Sequence, residues 1–113
     1  MIVTVFRSRL RADADMQALE AAGGRMAELA SGMPGFVSYK DFTAADGESV
    51  TIVEFTDQAS LLAWRNHPEH VVVQQRGRDE FMSEYHIQVC ETVRDYAYAA
   101  GDAPPATGPA AAA

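Results

Sequence analysis

The chain opens on IVTVFRSRL, residues 2–10, where β-branched and aromatic residues fill the positions ahead of the arginines, as in a strand. RADAD follows, and Asp13 or Asp15 is placed to cap a helix by accepting from its free N–H groups. Met16, Leu19, Ala22, Met26, Leu29 and Met33 then recur at helical spacing, an apolar stripe about four to five turns long. Gly23 and Gly24 sit in its middle, where each costs about 1 kcal/mol against alanine. Such a pair predicts the close approach of another backbone, or a kink. SGMPG ends the helix.

Alternation resumes in FVSYKDFTA, with Phe36, Ser38, Lys40 and Phe42 on one side and Val37, Tyr39 and Asp41 on the other. ADGE, at 45–48, carries the Asp-Gly signal of a tight hairpin. SVTIVEF is the third strand, Val50, Ile52 and Glu54 alternating against Thr51, Val53 and Phe55. TDQASLLAW predicts a second helix capped by Thr56 or Asp57. NHPEH breaks it. Pro68 lacks a donor and disfavours helical backbone at His67, yet it suits the first position of a new helix. PEHVVVQQRGRDEF is therefore read as a separate helix, loosened at its end by Gly77. SEYHIQVCETVRDY reads as a long last strand, with Tyr85, Ile87, Val89, Glu91 and Val93 on one face and His86, Gln88, Cys90 and Thr92 on the other.

This order is β-α-β-β-α-β, an α+β, ferredoxin-like arrangement: a four-stranded antiparallel sheet with the helices on one face. The strands carry apolar residues on both faces, Val3 and Val5 as well as Ile2 and Phe6. An open apolar face is a liability, and the expected cover is a second copy of the chain, hence a homodimer. Residues 1–98 form the domain. The tail 99–113, rich in Ala, Pro and Gly, has no periodicity and is expected to be disordered.

At 113 residues the chain is one domain long, with a thin core that a shared interface would help. A net charge of −7 argues against nucleic acid as a partner, since phosphate binding needs clustered cations. No apolar run is long enough for a membrane span, and the N-terminus has apolar residues before charge, the reverse of a signal peptide. A cytoplasmic location is the default expectation. Cys90 is the only cysteine, so no internal disulfide forms, and its plain reading is buried packing.

Candidate chemistry gathers in AWRNHPEHVVVQQRGRDEF, residues 63–81. Trp64 serves either as core, where it needs area and a partner for its N–H, or as a pocket wall against a flat ring. His67 and His70 flank the proline break, and His86 lies on the last strand. Three histidines suit zinc, but the break keeps the first two off one helix face and no carboxylate joins them at ligand spacing, so no metal is expected. The plain reading makes His67 a helix cap and His70 a surface residue. The functional reading makes one of them, His70 for preference, a general base near neutral pH. Tyr39 and Tyr85 are strand aromatics whose hydroxyls suit a substrate oxygen, and Arg65 suits an anionic group at a pocket mouth. Arg76, Arg78, Asp79 and Glu80 read as a solvated helix end. No P-loop, dinucleotide fingerprint or nucleophile elbow is present.

The stretch LLAWRNHPEHVVVQQRGRDEFMSEYHIQVCETVRDY, with MPGFVSYKDF and DGESVTIVEFTD before it, resembles the antibiotic biosynthesis monooxygenase domain family over residues 1–98. The resemblance implies a dimeric α/β barrel, two ferredoxin-like chains packed sheet to sheet, with a pocket between sheet and helices. Quinone-forming members use no metal and no flavin: an electron-rich phenol loses its proton and the anion reacts with dioxygen. Such chemistry needs an apolar pocket, a proton acceptor and donors for an oxyanion. Trp64 matches the family's recurring tryptophan. Ser8 stands near the place of an asparagine that contacts haem in haem-degrading relatives, and Gln74 where they carry an iron-ligating histidine, so haem cleavage is disfavoured. The implied site has His70 and Tyr85 as proton-handling residues, Trp64, Ser8, Tyr39, Gln74 and Arg65 against a small aromatic substrate, and no cofactor. The alternative is a non-enzymatic dimeric protein that holds a small ligand in the same pocket.

Overall fold

The computed structural model describes residues 1–101. Most of the tail set apart from the sequence, from 102 onward, lies outside the described residues. Four strands, β1 (Ile2–Leu10), β2 (Phe36–Thr43), β3 (Ser49–Phe55) and β4 (Met82–Glu91), form one sheet in the order β2-β3-β1-β4. All three pairings are antiparallel. Helix α1 (Met16–Ser31) connects β1 to β2, while α2 (Gln58–Arg65), α3 (Pro68–Arg76) and a π-turn (Gly77–Phe81) connect β3 to β4. This is the ferredoxin-like order expected from the sequence, with the second helix divided at Pro68.

Strand register fixes which side chains share a face, because directly paired residues point the same way. Ile2 pairs with Phe55 and Glu91, Thr4 with Val53 and Val89, Phe6 with Thr51 and Ile87, and Ser8 with Ser49 and Tyr85. This set faces the helices. Ile2, Val53 and Phe55 join Met26 and Ala30 of α1 and Leu61 and Trp64 of α2 in the buried core. The opposite face presents Val3, Val5, Val50, Ile52 and Phe42, apolar as the alternation implied, with Phe42 exposed and the others half-buried in the single chain.

A bulge between Phe36 and Ser38 changes one reading of the alternation. It turns Phe36 to the helix side, where its ring meets Phe55 edge-on at 6.0 Å, while Ser38, Lys40 and Phe42 stay on the far face. Period-two counting places Phe36 with Ser38 and cannot register an extra residue.

Asp15 caps α1 by accepting from the Ala18 N–H at 3.1 Å, and Asp57 caps α2 by accepting from the Ser60 N–H at 2.8 Å. The close approach expected at Gly23 and Gly24 is not made: a Cβ at either position meets nothing within 4 Å. The glycine that does need its freedom is Gly35, with φ 78°, where an added Cβ would lie 2.3 Å from Ser60 Oγ. The hairpin is longer than the Asp-Gly pair suggested. Residues 44–48 connect β2 to β3, closed by the Gly47 N–H on the Ala44 carbonyl at 3.0 Å with Gly47 at φ 89°. The last strand stops at Glu91, short of Val93, which is 89% exposed.

Helix α3 is attached differently from its neighbours. It buries no residue fully, and Val73 is its one apolar side chain packed on the core, beside the His70 ring on Trp64. A two-pronged ion pair from Arg25 on α1 to Glu69, with both N···O distances 2.9 Å, ties it sideways. Polar ties therefore hold a helix whose apolar residues Val71 and Val72 remain exposed.

Candidate functional site

The α2–α3 junction is built from Pro68 outward. His67 adopts extended backbone before the proline, and its Nδ1 accepts from the Glu69 N–H at 3.2 Å, capping α3. One turn on, His70 points back at α2. Its ring stacks on the Trp64 indole with centroids 4.0 Å apart and planes 17° off parallel. Its Nδ1 lies 3.1 Å from the Trp64 carbonyl oxygen. His70 is thus half-buried rather than the surface residue of its plain reading.

This contact fixes the tautomer of the neutral ring. A carbonyl only accepts, so Nδ1 carries the proton and Nε2 holds the lone pair. Burial lowers the His70 pKa from its usual 6.5, against the opposing pull of the Trp64 carbonyl and with help from the nearby His67. The ring is accordingly a neutral base at neutral pH. Gln74 completes the junction by donating from Nε2 to the Arg65 carbonyl at 3.0 Å. The Arg65 side chain itself is exposed.

A second group sits where β1 ends and β4 begins. Ser8, 4% exposed, pairs with Tyr85 in register. The Tyr85 ring lies 5.7 Å from Phe6, and its hydroxyl accepts from Arg78 Nε at 3.1 Å. Tyr85, Ile87 and Val89 line the helix side of β4, yet remain 41%, 50% and 54% exposed. An apolar strip therefore stays open on the face that the helices otherwise cover. Tyr39 lies on β2, at the far edge of the sheet from β4, packed against the core. Burial first, then Asp41, pushes its hydroxyl up to about 12, so it remains a protonated donor.

One polar group was overlooked in reading the sequence. The Thr4 hydroxyl is buried without a hydrogen-bond partner among the described residues, between Ile2 and Phe6 on the helix side. A buried unpaired hydroxyl is costly unless a ligand or ordered water meets it. The signal was present: a threonine in line with Ile2 and Phe6 breaks an apolar face. Arg78 was also passed over, as part of a mixed-charge helix end.

An open groove of about 520 Å³ runs between α1 and α3, floored by Ala18, Ala22 and Met26 against Val72 and Val73. None of the candidate catalytic or substrate-binding residues read from the sequence lines it. A smaller hollow of about 240 Å³ includes Ser8 and Tyr85 with Arg7, Glu84 and His86. The last three point away from the helices by register, so this hollow opens on the far side of the sheet. His86 is there as well, apart from His67 and His70. Among the described residues no three His, Cys, Asp or Glu side chains converge as metal ligands.

An antiparallel β2-β3-β1-β4 sheet with its helices on one side, and an imidazole–indole pair at a broken second helix, define an α+β ferredoxin-like protein. The chain belongs to the antibiotic biosynthesis monooxygenase family, whose sequence profile matches residues 1–76. The uncharacterized protein YqjZ of Bacillus subtilis is 30% identical over 70 residues, 62% of this chain and 61% of that relative. The match thus spans less than two thirds of YqjZ. Rv0793 from Mycobacterium tuberculosis superposes with a TM-score of 0.75 at 21% identity, covering 85% of this chain and 98% of that one. A mutant of SnoaB, a cofactor-independent oxygenase from Streptomyces nogalater, superposes with a TM-score of 0.70 at 17% identity, covering 83% of this chain and 94% of that one. At these identities the likeness is one of fold. No helix among the described residues is long and apolar enough to cross a membrane.

Proposed function

We propose that this chain is a cytoplasmic homodimeric monooxygenase that oxidises a small phenolic or quinol-like aromatic without a metal or flavin. The observation that carries the reading is the half-buried His70, whose Nδ1 is committed to the Trp64 carbonyl so that Nε2 is left as proton acceptor. The substrate ring lies between α3 and the open strip of Phe6, Tyr85, Ile87 and Val89. Trp64 backs the imidazole, Ser8 and Thr4 offer hydroxyls, and Gln74 holds Arg65 and the helix junction in place. Tyr39 supports the core behind them. The far face of the sheet is covered by a second copy.

The chemistry balances on the substrate alone. His70 Nε2 takes a proton from the enol or phenol, and the resulting carbanion-like anion combines with dioxygen. For an anthrone, one oxygen atom stays as the new ring carbonyl and the other leaves as water. The ring methylene supplies all four electrons, so no outside reductant is needed. Burial makes the imidazolium unfavourable, which favours return of its proton to the departing oxygen.

Oxygen uptake with anthrone and a panel of hydroquinones tests this. His70→Asn keeps a donor for the Trp64 carbonyl but lacks the base, and Trp64→Phe keeps the core filled. Turnover by native protein with a loss of about 100-fold in His70→Asn is expected. Equal rates for native and variant remove His70 from the chemistry. Thermal stabilisation by these aromatics without any oxygen uptake would instead establish the ligand-holding alternative.

A further inference from the structure

We infer that the ligand carries an anionic group, a carboxylate in the first instance, held by Arg78 beside the Tyr85 hydroxyl. This deepens the proposed function, and it rests on the open β1–β4 strip being where the aromatic body lies.

Four of the eight arginines are already neutralised by ion pairs. Arg7 pairs with Glu48, Arg9 with Asp46 and Glu84, Arg25 with Glu28 and Glu69, and Arg76 with Glu80. Arg11 and Arg78 form no ion pair among the described residues, although they adjoin one another in an acidic chain. Arg11 donates to main-chain oxygens only, to the Met82 carbonyl at 3.1 Å and to the carbonyl of Arg78.

The carboxylates nearest in sequence are committed elsewhere. Asp79 accepts from Gln75 at 3.1 Å, Glu80 from Arg76 at 2.7 Å, and Glu84 faces Arg9 at 3.3 Å. The π-turn explains how this is possible: its wider winding sends Arg78 toward β4 while its acids face back along α3. The corner where β4 begins thus has two guanidinium groups without a carboxylate partner among the described residues.

Arg78 is also aimed. Its Nε donates to the Tyr85 oxygen, which leaves the Tyr85 O–H to donate outward and both Nη atoms of Arg78 without partners among the described residues. A planar guanidinium fork beside a hydroxyl donor suits a carboxylate. Ile87 and Val89 continue from Tyr85 as an exposed apolar surface, with the half-buried Phe6 ring beside Tyr85. The combination matches an aromatic body with an acid at one end.

Calorimetric titration with ortho-hydroxynaphthoate and with naphthol, which share the ring and differ in the carboxylate, tests this. Native protein is expected to bind the hydroxynaphthoate about tenfold more tightly, a preference that fades with added salt. Arg78→Gln, at an exposed position, should bring the two affinities together, and Arg94→Gln, which removes the same charge from the segment after β4, should leave the preference intact. An unchanged preference in Arg78→Gln overturns the assignment, as does an equal loss in both variants, which would mark a diffuse charge effect. Oxygen uptake separates the two readings. A carboxylate preference without turnover of anthrone sinks the enzyme and keeps the anion subsite. Turnover without the preference does the reverse.

Discussion

The imidazole of His70 lies parallel to the indole of Trp64 at 4.0 Å, and Trp64 is the only tryptophan in the chain. A protonated imidazole withdraws electron density from an excited indole, so emission reports the charge on this one ring. Acidification should dim the fluorescence with a midpoint below pH 6.5, the usual imidazole value from which burial lowers His70. In His70→Asn the titration should vanish. A midpoint above 6.5 in native protein would contradict the burial argument.

Stability should follow the same group. An unfolded chain binds the His70 proton more readily than the folded one, because the folded value is depressed. The contribution is therefore fully present above about pH 6.5 and is lost as pH falls toward and through the lower folded value. Melting temperatures from pH 5 to 7.5 should rise with pH, and the rise should be shallower in His70→Asn. If turnover is found, kcat/KM should likewise rise with pH and level off, its apparent pKa lying below 6.5.

Thr4→Val removes a buried hydroxyl that has no partner among the described residues. Valine has nearly the same shape, so the unliganded protein should gain about 1 kcal/mol in a urea titration. Affinity for a phenolic ligand should fall if the hydroxyl meets it. A loss of stability in the unliganded variant would mean that the hydroxyl is already satisfied.

Gly35→Ala tests the turn that sets α2. The residue has φ 78°, its Cβ would lie 2.3 Å from Ser60 Oγ, and its carbonyl accepts from the Thr56 N–H at 2.8 Å. A loss of about 2 kcal/mol is expected from strain and crowding together. Gly23→Ala, with open space around it, should instead stabilise by about 0.5–1 kcal/mol.

Helix α3 should exchange its amide protons faster than α1, since it buries no residue fully while α1 buries Ala22, Met26 and Ala30. Arg25→Ala cuts its lateral tie and should accelerate exchange in α3 more than in α1. Equal exchange in both helices would show that the stack at His70 suffices to hold it.

Much of this protein was legible in its residues. The strands, the capping sites (Asp13 or Asp15, and Thr56 or Asp57), the break at Pro68 and the open apolar face all follow from spacing, propensity and proline geometry, which act over a few residues, while the structure chose Asp15 and Asp57. Trp64 and His70 were legible as candidates. Their stacking was not, because the angle between α2 and α3 depends on how both meet the core. The Phe36 bulge, the pairing of Tyr85 with Arg78 and the isolation of the Thr4 hydroxyl were likewise set by tertiary structure. Each depends on which distant backbone lies alongside, and that is decided by register across strands far apart in sequence. Local pattern thus determined the order and faces of the elements, while long-range packing decided which charges and hydroxyls were left without partners.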